Sequence, residues 1–263
     1  MLRRTAIVCA LLVIAGALGL EGRREPGLKL HLINGHPIVE GVFVNGSGPY
    51  RFLVDTGSTL NHFDSKIARK VGLKAAYRAN VVSANGANVV PGAHGIEISA
   101  DSARATKQLV LLGGLDAVQL LSRDIQGVLG QSFLAEFDYM LDMHAKRLVF
   151  GRRDCTGTRV PILFVDGRPT IDTNLGRLLL DSGAHNLVLF NVPTTTATRE
   201  IVTLAGARRA GTAPRELRID GRVFWRGEIL GIPFDDAGFA GLQPTNLFKK
   251  VYVSNSEGYI VLN

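Results

Sequence analysis

Apolar residues run through most of this chain in short stretches that alternate with polar ones or end abruptly at Gly, Asn or Pro. That period of two, punctuated by turn residues, predicts many short strands and few helices. Leu30 to Ile33 and Pro37-Ile38 flank an Asn-Gly turn signal at Asn34-Gly35. Val42 to Val44 and Tyr50 to Val54 flank a turn over Asn45 to Pro49 and read as a hairpin. Residues 64–73 alone break the pattern early on: Asp64 or Ser65 as N-cap and Gly72 as stop predict a short helix. A further hairpin is predicted over Asn80 to Val90, with Asn85-Gly86 at its tip. Strands are expected at Gly95 to Ile98, Gln108 to Leu112, Phe137 to Asp142 and Arg147 to Phe150. Thirty glycines and ten prolines among 263 residues fit this turn-rich, all-β reading.

Two of the strands end alike. Phe52-Leu53-Val54 runs into Asp55-Thr56-Gly57-Ser58, and Leu178-Leu179-Leu180 runs into Asp181-Ser182-Gly183-Ala184. A carboxylate closing a buried strand is costly unless it is hydrogen-bonded or functional. Its recurrence 126 residues later points to two half-sites meeting at one centre. The surroundings recur too. Val165-Asp166-Gly167-Arg168-Pro169 echoes Ile33-Asn34-Gly35-His36-Pro37. Gly167 precedes Asp181 by 14 residues where Gly35 precedes Asp55 by 20, so the second hairpin is shorter. Gly238-Phe239-Ala240-Gly241 aligns with Gly127-Val128-Leu129-Gly130, and the remainder to Leu262 echoes Gly130 to Phe150. Repetition on this scale predicts two homologous lobes, at 28–150 and 159–263, joined by the polar segment 151–158.

Asp-Thr/Ser-Gly after an apolar strand is the signature of the aspartic peptidases, and the chain resembles that family in its compact bacterial, retropepsin-like form. The resemblance implies two β-barrel-like lobes of the acid-protease fold with the cleft between them. It implies Asp55 and Asp181 as catalytic residues sharing one proton, with Thr56 and Ser182 cross-linking the two loops. Gly57 and Gly183 let the backbone close on the carboxylates. Ser58 is expected to donate to Asp55, a bond Ala184 cannot supply to Asp181. The hairpin at Asn85-Gly86 is read either as the family's flap or as an ordinary surface hairpin; Tyr77 lies too early to serve as a flap tyrosine. The implied activity is endopeptidase cleavage of a peptide or protein by a water held between the two acids, with no cofactor and no metal. Against it stand a non-catalytic peptide-binding protein on the same fold and another two-carboxylate hydrolase. Intact acids in both lobes weigh against the first, and the lack of aromatic sugar platforms against the second.

Charge and the termini change the picture little. Met1-Leu2-Arg3-Arg4 followed by the apolar run from Ala6 to Leu20 reads as an export signal, cleaved near Ala17, with 18–27 as linker. Retention as a membrane anchor is the alternative; either way the body lies outside the cytoplasm. Formal net charge is +7, and +5 without residues 1–17. Of the two cysteines, Cys9 falls in the signal, so Cys155 stands alone and no disulfide is expected. No H-E-x-x-H or close histidine pair indicates metal. His62 and His185 are read as loop residues, Trp225 as hairpin packing, and Arg208 to Arg218 as a solvated loop without nucleic-acid binding. A monomer suffices for the expected activity.

Overall fold

The computed structural model describes residues 27–83, 86–195, 198–203, 206–234 and 238–263. The expected signal, most of the linker, Cys9 and Asn85 lie outside them. Among the described residues no helix is long and apolar enough to cross a membrane.

The chain is all-β, built on two sheets. It opens with β1 (Leu28–Ile33), β2 (His36–Val44) and β3 (Ser47–Val54). At the two tips Asn34 and Gly35 have φ of 49° and 80°, and Asn45 and Gly46 have 47° and 74°. Left-handed backbone at both central positions suits the strand twist and selects Asn-Gly. After Asp55 come β4 (Asn61–Asp64) and α1 (Ser65–Lys70). The Asp64 side chain caps α1 by accepting from the Lys66 N–H at 2.6 Å, and Arg69 and Lys70 close its last turn. Then β5 (Tyr77–Ser83), β6 (Gly86–Ala100) and β7 (Ala103–Gly113) form a long meander. A one-turn α2 (Asp116–Gln119), β8 (Gly127–Leu129) and a one-turn α3 (Gln131–Leu134) lead to the hairpin of β9 (Tyr139–Asp142) and β10 (Arg147–Phe150).

The second half repeats this plan. β11 (Thr158–Pro161) and β12 (Leu163–Val165) stand for β1, split after Pro161. β13 (Arg168–Thr173) and β14 (Gly176–Asp181) form the shorter hairpin that delivers the second Asp. The β12–β13 tip is Asp166-Gly167, with φ of 49° and 73°, the same turn as Asn34-Gly35. β15 (Val188–Phe190), β16 (Thr198–Thr203), β17 (Gly206–Ile219), β18 (Arg222–Ile232) and β19 (Gly241–Pro244) follow. A single 3-10 turn at Thr245–Leu247 precedes β20 (Lys250–Ser254) and β21 (Tyr259–Leu262).

Strand order makes the equivalence explicit. One sheet contains the run β3-β8-β4-β7-β6-β5, the other β14-β19-β15-β18-β17-β16. The closing hairpins meet: β9 pairs with β20 (Leu141 opposite Val251) and β10 with β1, while β21 pairs with β11. The C-terminal strands therefore extend the N-terminal sheet, and a continuous core runs from Leu30 and Phe52 through Leu141 to Leu178, Val251 and Leu262. Burying those side chains, at about 25 cal/mol per Å² of apolar surface, is what holds the two halves in fixed relation.

Arg209, Arg215 and Arg218 sit in β17 rather than in a solvated loop. The alternation of small and polar residues between them fits a strand facing solvent on one side. Arg218 pairs with Glu216. Trp225 packs against the core from β18, facing Leu217, as hairpin packing requires.

Candidate active site

Each Asp is delivered by a strand buried on both faces. Phe52 and Val54 are fully buried, and β3 runs parallel to β8 with Phe52 opposite Gly127 and Val54 opposite Leu129. A Cβ at Gly127 would lie 2.4 Å from the Phe52 ring, so Gly is what lets β8 close on β3. The Asp55 N–H then donates to the Leu129 carbonyl at 2.9 Å. In the second lobe β14 runs parallel to β19, with Leu178 opposite Gly241 and Asp181 opposite Pro244. Counting back from each Asp, Gly241 is the counterpart of Gly127. The alignment of Gly238 with Gly127 expected from sequence is thus three residues out. Two glycines three apart gave two possible frames, and only pairing against the Asp strand chooses between them.

The two loops are tied by four reciprocal bonds. The Thr56 hydroxyl donates to the Leu180 carbonyl (2.6 Å) and accepts from the Ser182 N–H (2.9 Å). The Ser182 hydroxyl donates to the Val54 carbonyl (2.6 Å) and accepts from the Thr56 N–H (3.0 Å). This exchange is two-fold symmetric. Both residues are buried, so the bonds are made away from water. The glycines obey the same symmetry. A Cβ on Gly57 would fall 2.6 Å from the Asp181 carboxyl carbon, and one on Gly183 2.6 Å from that of Asp55. Each glycine therefore makes room for the acid of the other lobe.

Asp55 and Asp181 meet at the axis. Asp55 is buried and Asp181 keeps partial exposure. Gly57 N–H donates to Asp55 Oδ1 (2.9 Å), and Gly183 and Ala184 N–H donate to Asp181 Oδ1 (2.8 and 3.1 Å). Burial raises the Asp55 pKa, opposed by the Gly57 hydrogen bond. Burial raises Asp181 well above the carboxylate range, and the charge of Asp55 raises it further. Two acids arranged this way hold one proton between them and present one acceptor and one donor to whatever lies above them.

Ser58 departs from expectation. Its hydroxyl donates to the Leu60 carbonyl at 2.9 Å, not to Asp55. Carbonyls inside a tight loop need donors, and Leu60 O lies two residues away. In both loops it is the backbone, not a side-chain hydroxyl, that supports the carboxylate. Ser58 and Ala184 are therefore less different than the sequence suggests.

Sequence reading missed the residues that brace the first loop. Asn61 Oδ1 accepts from Gly130 N–H (2.9 Å), and its Nδ2 donates to Gln108 Oε1 (3.1 Å). Gln131 Nε2 donates to the Thr56 carbonyl at 2.8 Å. Ser132 Oγ accepts from Asn61 N–H at 3.0 Å. A polar residue closing each apolar run was the available signal. The second lobe places Leu187 where Asn61 stands and Thr245 where Gln131 stands. There the Thr245 hydroxyl and the Gln243 amide are buried without hydrogen-bond partners among the described residues.

The β5–β6 ladder runs from Tyr77 opposite Gly92 to Ser83 opposite Gly86, so Gly86 opens β6 instead of sitting at the tip; Asn85 lies outside the described residues. Tyr77 is at the hairpin base, its hydroxyl donating to the Val110 carbonyl at 3.1 Å. The second lobe has an equivalent hairpin, β16–β17, running from Thr198 opposite Gly211 to Thr203 opposite Gly206. His62 lies in β4, where burial lowers its pKa to about 4. His185 follows the second Asp loop and stacks on His36, with centroids 6.0 Å apart. Cys155 is a free thiol. A cavity of about 390 Å³ lined by Arg51, Asp64, Lys66 and Gln126 includes neither Asp loop.

Residues 39–133 match the family model described as Aspartyl protease. This segment is similar to the aspartyl protease family. It carries β3, the Asp55 loop, the β5–β6 hairpin and β8, so the matched segment includes one complete half-site. Among solved structures, a retropepsin-like aspartic protease from Rickettsia conorii is similar at 21% identity, over 47% of this chain and 89% of that chain, with a TM-score of 0.37. No curated protein matches the sequence.

Proposed function

We propose that the chain is an aspartic endopeptidase acting through Asp55 and Asp181. The observation that carries this reading is the reciprocal Thr56–Ser182 exchange, which holds the two carboxyls together at one axis. Two acids whose joint pKa is raised by burial share a proton in the acid to neutral range. The ionised member takes a proton from a water as that water attacks the peptide carbonyl. The protonated member gives its proton to the carbonyl oxygen. Collapse of the tetrahedral gem-diol breaks the C–N bond: the proton first taken from water goes to the leaving amine, and one gem-diol hydroxyl returns its proton to the other acid as the C=O re-forms. Water and one amide become one acid and one amine, and the dyad returns to its starting protonation. Neither metal nor covalent intermediate enters. The β5–β6 hairpin, and by symmetry β16–β17, would cover a peptide lying across the dyad.

The test is incubation of the purified protein with a mixed peptide library from pH 3 to 7, with and without a statine-type inhibitor. Internal cleavage that the inhibitor stops, and that Asp55→Asn or Asp181→Asn abolishes in a folded protein, is the expected result. Cleavage surviving in either variant would remove that residue from the reaction. The same reading places the body outside the cytoplasm on the strength of residues 1–17. A reporter fused to residues 1–27 should cross the membrane, and a reporter kept wholly inside would refute it.

A further inference from the structure

One corner of the dyad carries a side-chain pair that peptide hydrolysis does not require. His36 opens β2 immediately after the Asn34-Gly35 turn and is buried. Its Nδ1 lies 3.1 Å from the Ile33 carbonyl. A carbonyl only accepts, so Nδ1 carries the proton and, in the neutral ring, Nε2 is left as the bare nitrogen. His185, from the other lobe, is exposed and sits four residues past Asp181. The rings face each other at 6.0 Å with planes 21° apart. That gap is too wide for a direct bond between them, and when charged the two rings present one positive field to a nearby anion. The seat is built: Asn246 Nδ2 donates to the His185 carbonyl at 3.2 Å, and a Cβ at Gly35 would strike Asn246 Nδ2 at 2.4 Å and crowd His185 Nδ1 at 3.3 Å. The symmetry-related corner holds Arg168 and Thr59 instead, with Arg168 turned onto Asp166 and the Phe239 ring.

We propose that His36 and His185 form a cross-lobe subsite for a carboxylate of the substrate, selecting peptides with a negative charge close to the cleaved bond. This rests on the peptidase reading. The carboxylate belongs either to an acidic side chain or to a peptide C-terminus. Among the described residues, Asp55 acts on His36 from the first Asp loop, His185 from the second, and the neutral amide of Asn246 lies beside His185 from the 3-10 turn. Burial lowers the His36 pKa and His185 lowers it further, while Asp55 raises it. A carboxylate bound beside the pair would raise the proton affinity of His36, so binding and protonation reinforce one another toward acid pH.

The test uses internally quenched peptides cleaved by the protein, each made with Glu or Gln near the scissile bond and with a free or an amidated C-terminus. At pH 5, kcat/KM should favour one charged version by about tenfold, with the Glu/Gln and free/amide comparisons telling the two sources apart. The preference should vanish at pH 8 and in His36→Gln and His185→Gln. His185 is exposed, so its variant keeps the fold. Equal preference in wild type and His185→Gln at both pH values overturns the subsite. A second readout is independent of cleavage: ring ¹⁵N shifts of labelled histidines in Asp181→Asn, titrated with the same peptides. A rise of both histidine pKa values with the charged peptide and not the uncharged one supports the subsite even if no cleavage is ever seen, whereas unchanged histidines refute it even if cleavage is robust.

Discussion

Ser182→Ala tests the cross-link at its most exacting point. The change removes one oxygen that donates to Val54 O at 2.6 Å and accepts from Thr56 N–H at 3.0 Å. Ser182 is 1% exposed, so water has no ready path to either orphaned group. A buried group stripped of its partner costs about 1–3 kcal/mol. The amide, with a single proton, is at the upper end, and the carbonyl, with a second lone pair, at the lower. Their sum is about 4 kcal/mol, against a total of about 5–15 for a typical protein. With a urea m-value of roughly 3 kcal/mol/M, the midpoint should fall by about 1 M at unchanged slope. Because the lost bonds join residues 126 and 128 apart in sequence, the cost falls on the docking of one half against the other. Activity should fall at least tenfold, since displacement of reacting groups by a fraction of an ångström is costly. Ser182→Thr is the control: it keeps both bonds, and Thr56 already carries a methyl at the symmetric position. A midpoint for Ser182→Ala within about 0.2 M of wild type, well below the smallest of these costs, together with normal activity, would refute this account of how the halves are held.

Four further outcomes are expected. Gly57→Ala and Gly183→Ala each place a methyl 2.6 Å from the opposite carboxyl carbon, so each should lower kcat by about a hundredfold or more while the protein stays folded; normal kcat in either would contradict the packing at the axis. Asp181→Asn should be more stable than wild type at pH 7: a carboxyl whose pKa rises on folding leaves stability intact below its unfolded value and costs stability as pH climbs through the raised one. Denaturant midpoints at pH 3, 5 and 7 check this, and parallel pH slopes in the two proteins would contradict it. The dyad's raised proton affinity also places the wild-type rate maximum at mildly acidic pH, and a maximum near pH 2 would contradict the burial argument. Ala184→Ser should leave that pH–rate profile unmoved, because the equivalent Ser58 hydroxyl serves Leu60 O and not the acid; a clear shift would show that the new hydroxyl reaches Asp181.

What was legible in the sequence is what local rules determine. Asn34-Gly35 is a turn because both central positions need positive φ; the sequence places the second turn over Asn45 to Pro49, whereas β3 starts at Ser47, leaving Asn45-Gly46 as the tip. Asp64 caps α1 because a carboxylate next to free N–H groups is favourable. The paired Asp loops were visible because an acid at the end of Leu178-Leu179-Leu180 has no structural excuse. What stayed hidden depends on partners far along the chain. The frame of Gly241 is set by pairing with Leu178, which no local pattern reveals. Ser58 had two acceptors within reach, and only the loop's path shows which it takes. His36 and His185 lie 149 positions apart and become a pair only when the lobes close. The stretch around Arg209 read as loop because small and basic residues lack the apolar alternation of a half-buried strand, yet its backbone pairs along both edges.

The two loops are chemically almost alike, and their cross-links and glycines obey one two-fold relation, yet the acids they carry are not equal. Symmetry of position does not impose symmetry of charge. Once either carboxyl ionises in a site this buried, its field acts on the other across a low-dielectric gap, and the second proton is held. The surroundings decide which acid holds it. The Asp55 loop is braced by Asn61, Gln108, Gln131 and Ser132, and it has His36 beside it favouring its anion. The second loop has Leu187 and Thr245 in the places of Asn61 and Gln131. The cation-forming ring and the denser bracing fall on the same side, so Asp55 is the natural seat of the negative charge and Asp181 of the proton. On the proposed peptidase reading, a duplicated half-site would thus supply a general base and a general acid without any change in the two acids themselves.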